Sequence, residues 1–123
     1  MRLVPATKNL LTEKHFRIMR NDAFLINTSR GEVVDEEALV KALSEKWISG
    51  AGLDVFSEEP LRPDHPFLQL QNVILSPHIG WKTDNMFNKF LSTSVDNILS
   101  FIIDGNPQLI ANKEVLESKK PPV

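Results

Sequence analysis

Ala23-Phe24-Leu25-Ile26, then Asp35-Glu36-Glu37-Ala38-Leu39-Val40-Lys41-Ala42-Leu43, then Gly50-Ala51-Gly52-Leu53-Asp54-Val55 read as strand, helix, strand. The first segment is a short continuous apolar run, the pattern of a strand buried on both faces. Asp35 offers an N-cap oxygen, and Glu36 and Glu37 put negative charge into the first turn, where the helix dipole favours it. Ala38, Leu39, Ala42 and Leu43 recur at helical spacing, with Trp47 expected in the core near the far end. A helix of this length between two apolar strands is a βαβ crossover, which makes the strands parallel. The predicted fold class is α/β, part of a doubly wound parallel sheet.

Working outward, Asn72-Val73-Ile74-Leu75 is a third strand after a proline-containing loop in which only the short stretch from His65 to Leu70 can be helical. Thr12 is an expected N-cap, with Leu11 and Phe16 spaced as a hydrophobic staple, and that helix is expected to end near Arg20-Asn21. Thr83 or Asp84 can cap a long helix in which Met86, Phe87, Phe90, Leu91, Val95, Ile98, Leu99 and Ile102 form a broad apolar face. Gly105 and Pro107 end it. The polar tail from Ala111 to Pro122 is expected to be loosely held.

Composition bounds the function without choosing it. At 123 residues and 41% hydrophobic, one core and one domain are expected. A formal net charge of −2 with no basic stripe argues against a nucleic-acid partner. The absence of cysteine excludes disulfides and thiolate metal sites, and no metal site is predicted. No apolar stretch is long enough for a bilayer, and the start lacks the apolar core of a signal peptide. The expectation is a soluble cytoplasmic protein without membrane contact.

Each expected strand is followed by one residue with useful chemistry: Arg30, Glu59 and His78. Parallel strands gather their carboxyl ends at one sheet edge, where open α/β sheets bind ligands. A cation, a carboxylate and an imidazole brought together there make an acid/base site. Each residue alone has a plainer reading. An arginine after a strand is most often a solvated loop cation, Glu59 before Pro60 can simply start a turn, and Glu58 can take its place. His15 and His65 lack any such context. Trp81 can wall a pocket or cover the sheet edge.

In order along the chain, Asn27-Thr28-Ser29-Arg30-Gly31, Val33-Val34-Asp35-Glu36, Gly50-Ala51-Gly52-Leu53-Asp54-Val55-Phe56 with Glu59-Pro60, and Pro77-His78-Ile79-Gly80 resemble the D-2-hydroxyacid dehydrogenases. The resemblance runs from about Leu3 to about Asn112. It implies an oxidoreductase that interconverts small 2-keto acids and D-2-hydroxy acids with NAD or NADP, usually as a homodimer. By that resemblance His78 is the general acid, Glu59 orients its imidazole and Arg30 binds the substrate carboxylate. Pro5, Thr28, Ser29, Arg30, Asp54, His78 and Gly80 fall at positions associated with the cofactor. The His-Ile-Gly-Trp run leans towards reductases of glyoxylate or hydroxypyruvate.

One part of the family pattern is missing. None of Gly31, Gly50, Gly52, Gly80 and Gly105 belongs to a G-x-G-x-x-G turn opening a helix, the element that lets backbone amides approach a pyrophosphate. The resemblance therefore implies the carboxyl-terminal portion of a longer enzyme. Residues 1–104 would form a partial NAD(P)-binding domain with its closing helix, and residues 105–123 would belong to the substrate domain. Alone, this piece is expected to lack turnover and to self-associate through exposed apolar surface and open strand edges. A non-catalytic binding or structural module of the same fold is the alternative.

Overall fold

The computed structural model describes residues 1–112 and Glu114. Contacts divide the chain into two compact units, residues 1–81 and residues 82–123. In the first, β1 (Phe24–Asn27), β2 (Gly50–Leu53) and β3 (Val73–Leu75) form a sheet in the order β1-β2-β3. Both pairings are parallel, with Ile26 beside Gly52 and Gly52 beside Ile74. The third strand, whose direction rested on a short loop, follows the other two. Its connection holds only a 3-10 turn, Pro66–Gln69.

Helix α2 (Glu36–Ser44) begins as its sequence predicts. Asp35 caps it by accepting the Ala38 N–H at 3.0 Å, and Ala38, Leu39, Ala42 and Leu43 are buried. Burying a leucine side chain is worth about 1.5–3 kcal/mol, so Leu39 and Leu43 anchor the helix to the sheet. The core also holds Phe16, Ile48, Ala51, Leu53, Phe56 and Phe67, with Leu25, Val73 and Leu75 packed against it. Trp47 is half-buried at the rim of this core, where the Arg17 guanidinium lies 3.9 Å from its ring centre.

Two expectations are corrected. Helix α1 is Glu13–Phe16, shorter than a helix reaching Arg20-Asn21. After Phe16 the bonding changes to three-residue turns, Ile18 N–H to His15 O and Met19 N–H to Phe16 O. The N-terminal features hold: Thr12 is the N-cap, Leu11 packs on the core and Phe16 is fully buried. Strand β1 is not buried on both faces. Phe24 and Ile26 are each 67% exposed, and Ile74 of β3 is 78% exposed. The alternate positions Leu25, Ala51 and Val73 face the core, because α2 covers only one side of the sheet.

In the second unit, α3 (Asp84–Asp104) is capped by Thr83, whose hydroxyl accepts the Met86 N–H at 3.3 Å. It ends at Gly105, which takes the left-handed conformation (φ 65°) that glycine adopts without steric cost. Asn97 folds the following segment back by bonding Leu109 N–H and C=O at 2.8 and 3.0 Å. Among the described residues, no helix is long and apolar enough to cross a membrane. The expected loose tail lies, beyond Asn112 and apart from Glu114, outside the described residues.

Candidate active site

Because all three strands run the same way, the segments that follow them emerge at one edge of the sheet. After β1, Asn27 is buried and shapes the turn that carries Thr28, Ser29 and Arg30. Its Oδ1 accepts the Ser29 N–H and hydroxyl at 3.1 Å each, and its Nδ2 donates to Arg30 O at 3.0 Å. Such an Asx turn is written in the sequence as Asn at the strand end, and Asn27 opens the family motif without being among the expected site residues. Gly31 follows because nothing larger fits. A Cβ there would lie 2.0 Å from the Phe56 carbonyl carbon, so the loop after β1 rests directly on the loop after β2.

After β2, Asp54 is 4% exposed, and its carboxylate reaches across to the loop after β3. It accepts bonds from the Ser76 hydroxyl, the Ile79 N–H at 2.9 Å and the Gly80 N–H at 2.8 Å. The Ser76 hydroxyl, the two amides and the positive field of His78 hold its carboxyl below the ordinary 3.8. A Cβ at Gly80 would stand 2.9 Å from that carboxylate, so glycine permits the close approach. Asp54, associated by resemblance with the cofactor, has both oxygens engaged in fixing the segment that bears His78.

His78 has a left-handed backbone (φ 55°), uncommon for a residue with a side chain. Its Nδ1 lies 2.7 Å from Glu59 Oε2, while Glu59 Oε1 accepts the Phe56 N–H at 3.0 Å. The His78 bond, then the Phe56 amide, and then the positive charges of His78 and Arg30 draw the Glu59 carboxyl below the ordinary 4.5. Glu59 is thus an anion at neutral pH, and Nδ1 carries the proton that points to it. Nε2 makes no hydrogen bond among the described residues. Glu59, rather than its neighbour Glu58, meets the imidazole.

An open cleft of about 600 Å³ has Glu59 and His78 in its lining, with Phe56, Pro60, Leu61, Leu68 and Leu75 as apolar walls. Arg30 lines a different depression of about 500 Å³ with Met1, Arg2, Leu3, Thr28 and Ser29, its Nη1 donating to Ser29 O at 2.7 Å. Glu59 and His78 are therefore in direct contact, whereas Arg30 is near enough only to bias the Glu59 charge. Pro5 lies in an exposed 3-10 turn, Pro5–Thr7, and lines neither space. Trp81 is exposed. His65, which had no context in the sequence, proves to be paired with Glu36 at 3.1 Å.

Residues 1–80 match the family described as D-isomer specific 2-hydroxyacid dehydrogenase, NAD binding domain. A glyoxylate reductase of Thermofilum pendens is 46% identical over 117 residues, 93% of this chain and 34% of that protein. Among solved structures, a D-lactate dehydrogenase from Sporolactobacillus superposes with TM-score 0.83 at 32% identity, over 92% of this chain and 38% of that one. An NADPH-dependent glyoxylate/hydroxypyruvate reductase from Sinorhizobium meliloti gives 0.77 at 34% identity, over 86% and 34%. The chain spans about a third of the length of these relatives.

Proposed function

The chain belongs to the D-isomer specific 2-hydroxyacid dehydrogenase family, and on that premise we propose that it serves as the carboxyl-terminal third of an NAD(P)-dependent enzyme interconverting small 2-keto acids and D-2-hydroxy acids. The observation that carries this most is the 2.7 Å contact between His78 Nδ1 and an ionised Glu59 at the carboxyl edge of a parallel sheet. Glu59 accepts the Nδ1–H and orients the ring, so that the Nε2–H of the imidazolium is left to give its proton to the substrate's carbonyl oxygen, a role worth about 10²–10⁴ in rate. Arg30 presents a planar fork of donors suited to the substrate carboxylate.

Thr28 and Arg30 supply hydroxyl and guanidinium donors to one depression and Ser29 a hydroxyl acceptor, a set that fits the polar parts of a dinucleotide. When bound, a reduced nicotinamide cofactor supplies the hydride. Without a glycine-rich turn in this chain, its grip on a pyrophosphate falls to the remainder of a longer protein. Glyoxylate or hydroxypyruvate is the favoured substrate, supported by the reductases named above. NAD and NADP are both compatible with these residues. A cytoplasmic homo-oligomer completes the proposal, supported by the lack of cysteine and by exposed Phe24, Ile26 and Ile74.

The test uses a whole dehydrogenase that carries this chain as its carboxyl-terminal third. Oxidation of NADH or NADPH by glyoxylate, hydroxypyruvate and pyruvate is followed by absorbance. His78→Asn is expected to lower turnover by about 10²–10⁴. Equally negligible oxidation by both proteins would sink the proposal and favour a non-catalytic module. That second reading has one observation behind it, the missing glycine-rich turn.

A further inference from the structure

Glu36 and His65 stand outside the residues assigned above, yet they join them through the backbone. Their side chains are only 24% and 12% exposed. His65 Nδ1 accepts the Phe67 N–H at 3.3 Å, so the ring proton sits on Nε2, 3.1 Å from Glu36 Oε1. Glu36 Oε2 accepts the Ser57 N–H at 3.1 Å. The amide immediately before it, Phe56 N–H, donates to Glu59. Two successive amides thus hold two carboxylates, and because their peptide planes meet at the Phe56 Cα, its φ and ψ couple the directions of both bonds. The Phe67 ring packs at a tilt against His65, with centroids 4.8 Å apart, and against Phe56 at 6.5 Å.

We propose that Glu36, held in place by His65, is a positioning residue that fixes the Phe56-to-Glu59 turn and thereby sets where the Glu59 carboxylate meets His78. The proposal deepens the dehydrogenase reading and rests on it for the value of that placement. A carboxylate is needed at position 36 because two donors converge on it. Ser57 and His65 bond different oxygens of Glu36 and glutamine has a single acceptor oxygen, so Glu36→Gln cannot keep both bonds in their present geometry.

The experiment follows the Glu59 side-chain carboxyl carbon by NMR through a pH titration of the 123-residue chain. Wild type is compared with Glu36→Gln, His65→Asn and Glu37→Gln. Asparagine at 65 can still cap the Phe67 N–H but is too short to reach Glu36. Glu37 is exposed in the same helical turn, so Glu37→Gln removes an equal charge without touching the loop.

The two possible causes of a change have opposite signs. Losing a nearby negative charge lowers the Glu59 pKa, whereas losing its placement against His78 and the Phe56 amide raises it. Glu36→Gln is expected to raise it by roughly half a pH unit or more, His65→Asn by less, and Glu37→Gln not at all. Unchanged or lowered Glu59 titration in Glu36→Gln and His65→Asn overturns the proposal. Should Glu36→Gln fail to fold, His65→Asn decides it alone. In a whole dehydrogenase, Glu36→Gln should lower kcat by about 10–100-fold with little change in KM for the cofactor; an unchanged kcat also overturns it. Absence of turnover in the wild type refutes the dehydrogenase reading instead, and the titration still decides placement.

Discussion

At the scale of single residues, the site is a set of side chains whose charges are settled by their neighbours. Glu59 is held ionised mainly by His78, so replacing His78 with Asn should let the Glu59 carboxyl rise towards 4.5. Asparagine is the informative choice because it tolerates the left-handed backbone there. Carboxyl titration by NMR reads the result, and no rise would mean that the imidazole is not its main partner. Asp54 links the site to stability. Its folded pKa is depressed, so its contribution is complete above 3.8 and is lost as pH falls through the lower folded value. The stability gap between wild type and Asp54→Asn should therefore narrow on acidification, measured by denaturant midpoints across that range. A gap independent of pH would argue against the ionised Asp54 as anchor of the His78 loop. Glu59 and His78 were legible in the sequence because a family motif marks them. Glu36 and His65 were not: they lie 29 positions apart, and only folding reveals that His65 pairs with the carboxylate that holds the Ser57 amide.

At the scale of elements, α2 was legible down to its cap, since Asp35, the acidic first turn and the apolar spacing all agree. Asp35→Ala should cost about 1 kcal/mol in an equilibrium unfolding experiment, and a neutral result would show that the Ala38 amide finds another acceptor. The carboxyl end of α1 was not legible, because Ile18 and Met19 have helical propensity but bond in three-residue turns. The loops depend more on close approach than on propensity. Gly31→Ala drives a methyl group into the Phe56 backbone and should cost about 3 kcal/mol, the range of an overpacked core. Thermal unfolding monitored by circular dichroism would expose the loss. An alanine variant as stable as wild type would mean the two loops do not touch in solution.

At the scale of the whole molecule, the parallel sheet was deduced from a single crossover, and the third strand obeyed it. What the sequence could not show is that an apolar strand has one bare face, because strand patterning reports hydrophobicity and not which layer is present to cover it. Phe24, Ile26 and Ile74 lie exposed on that face. We expect the isolated chain to associate as its concentration rises, with Ile26→Lys weakening the association. Sedimentation velocity that finds a monomer throughout would remove this expectation. The same chain should bind NADH weakly or not detectably by fluorescence titration, because no glycine-rich turn is present to receive the pyrophosphate; tight binding would show that the residues after β1 suffice.

The absence of any side chain at Gly31, where one loop seats on another, bears on how relatives can be recombined. The two connections are a matched pair and should be exchanged together. A crossover point placed between residues 31 and 56 would marry surfaces that never adapted to each other, while one placed before residue 23 would transfer the pair intact.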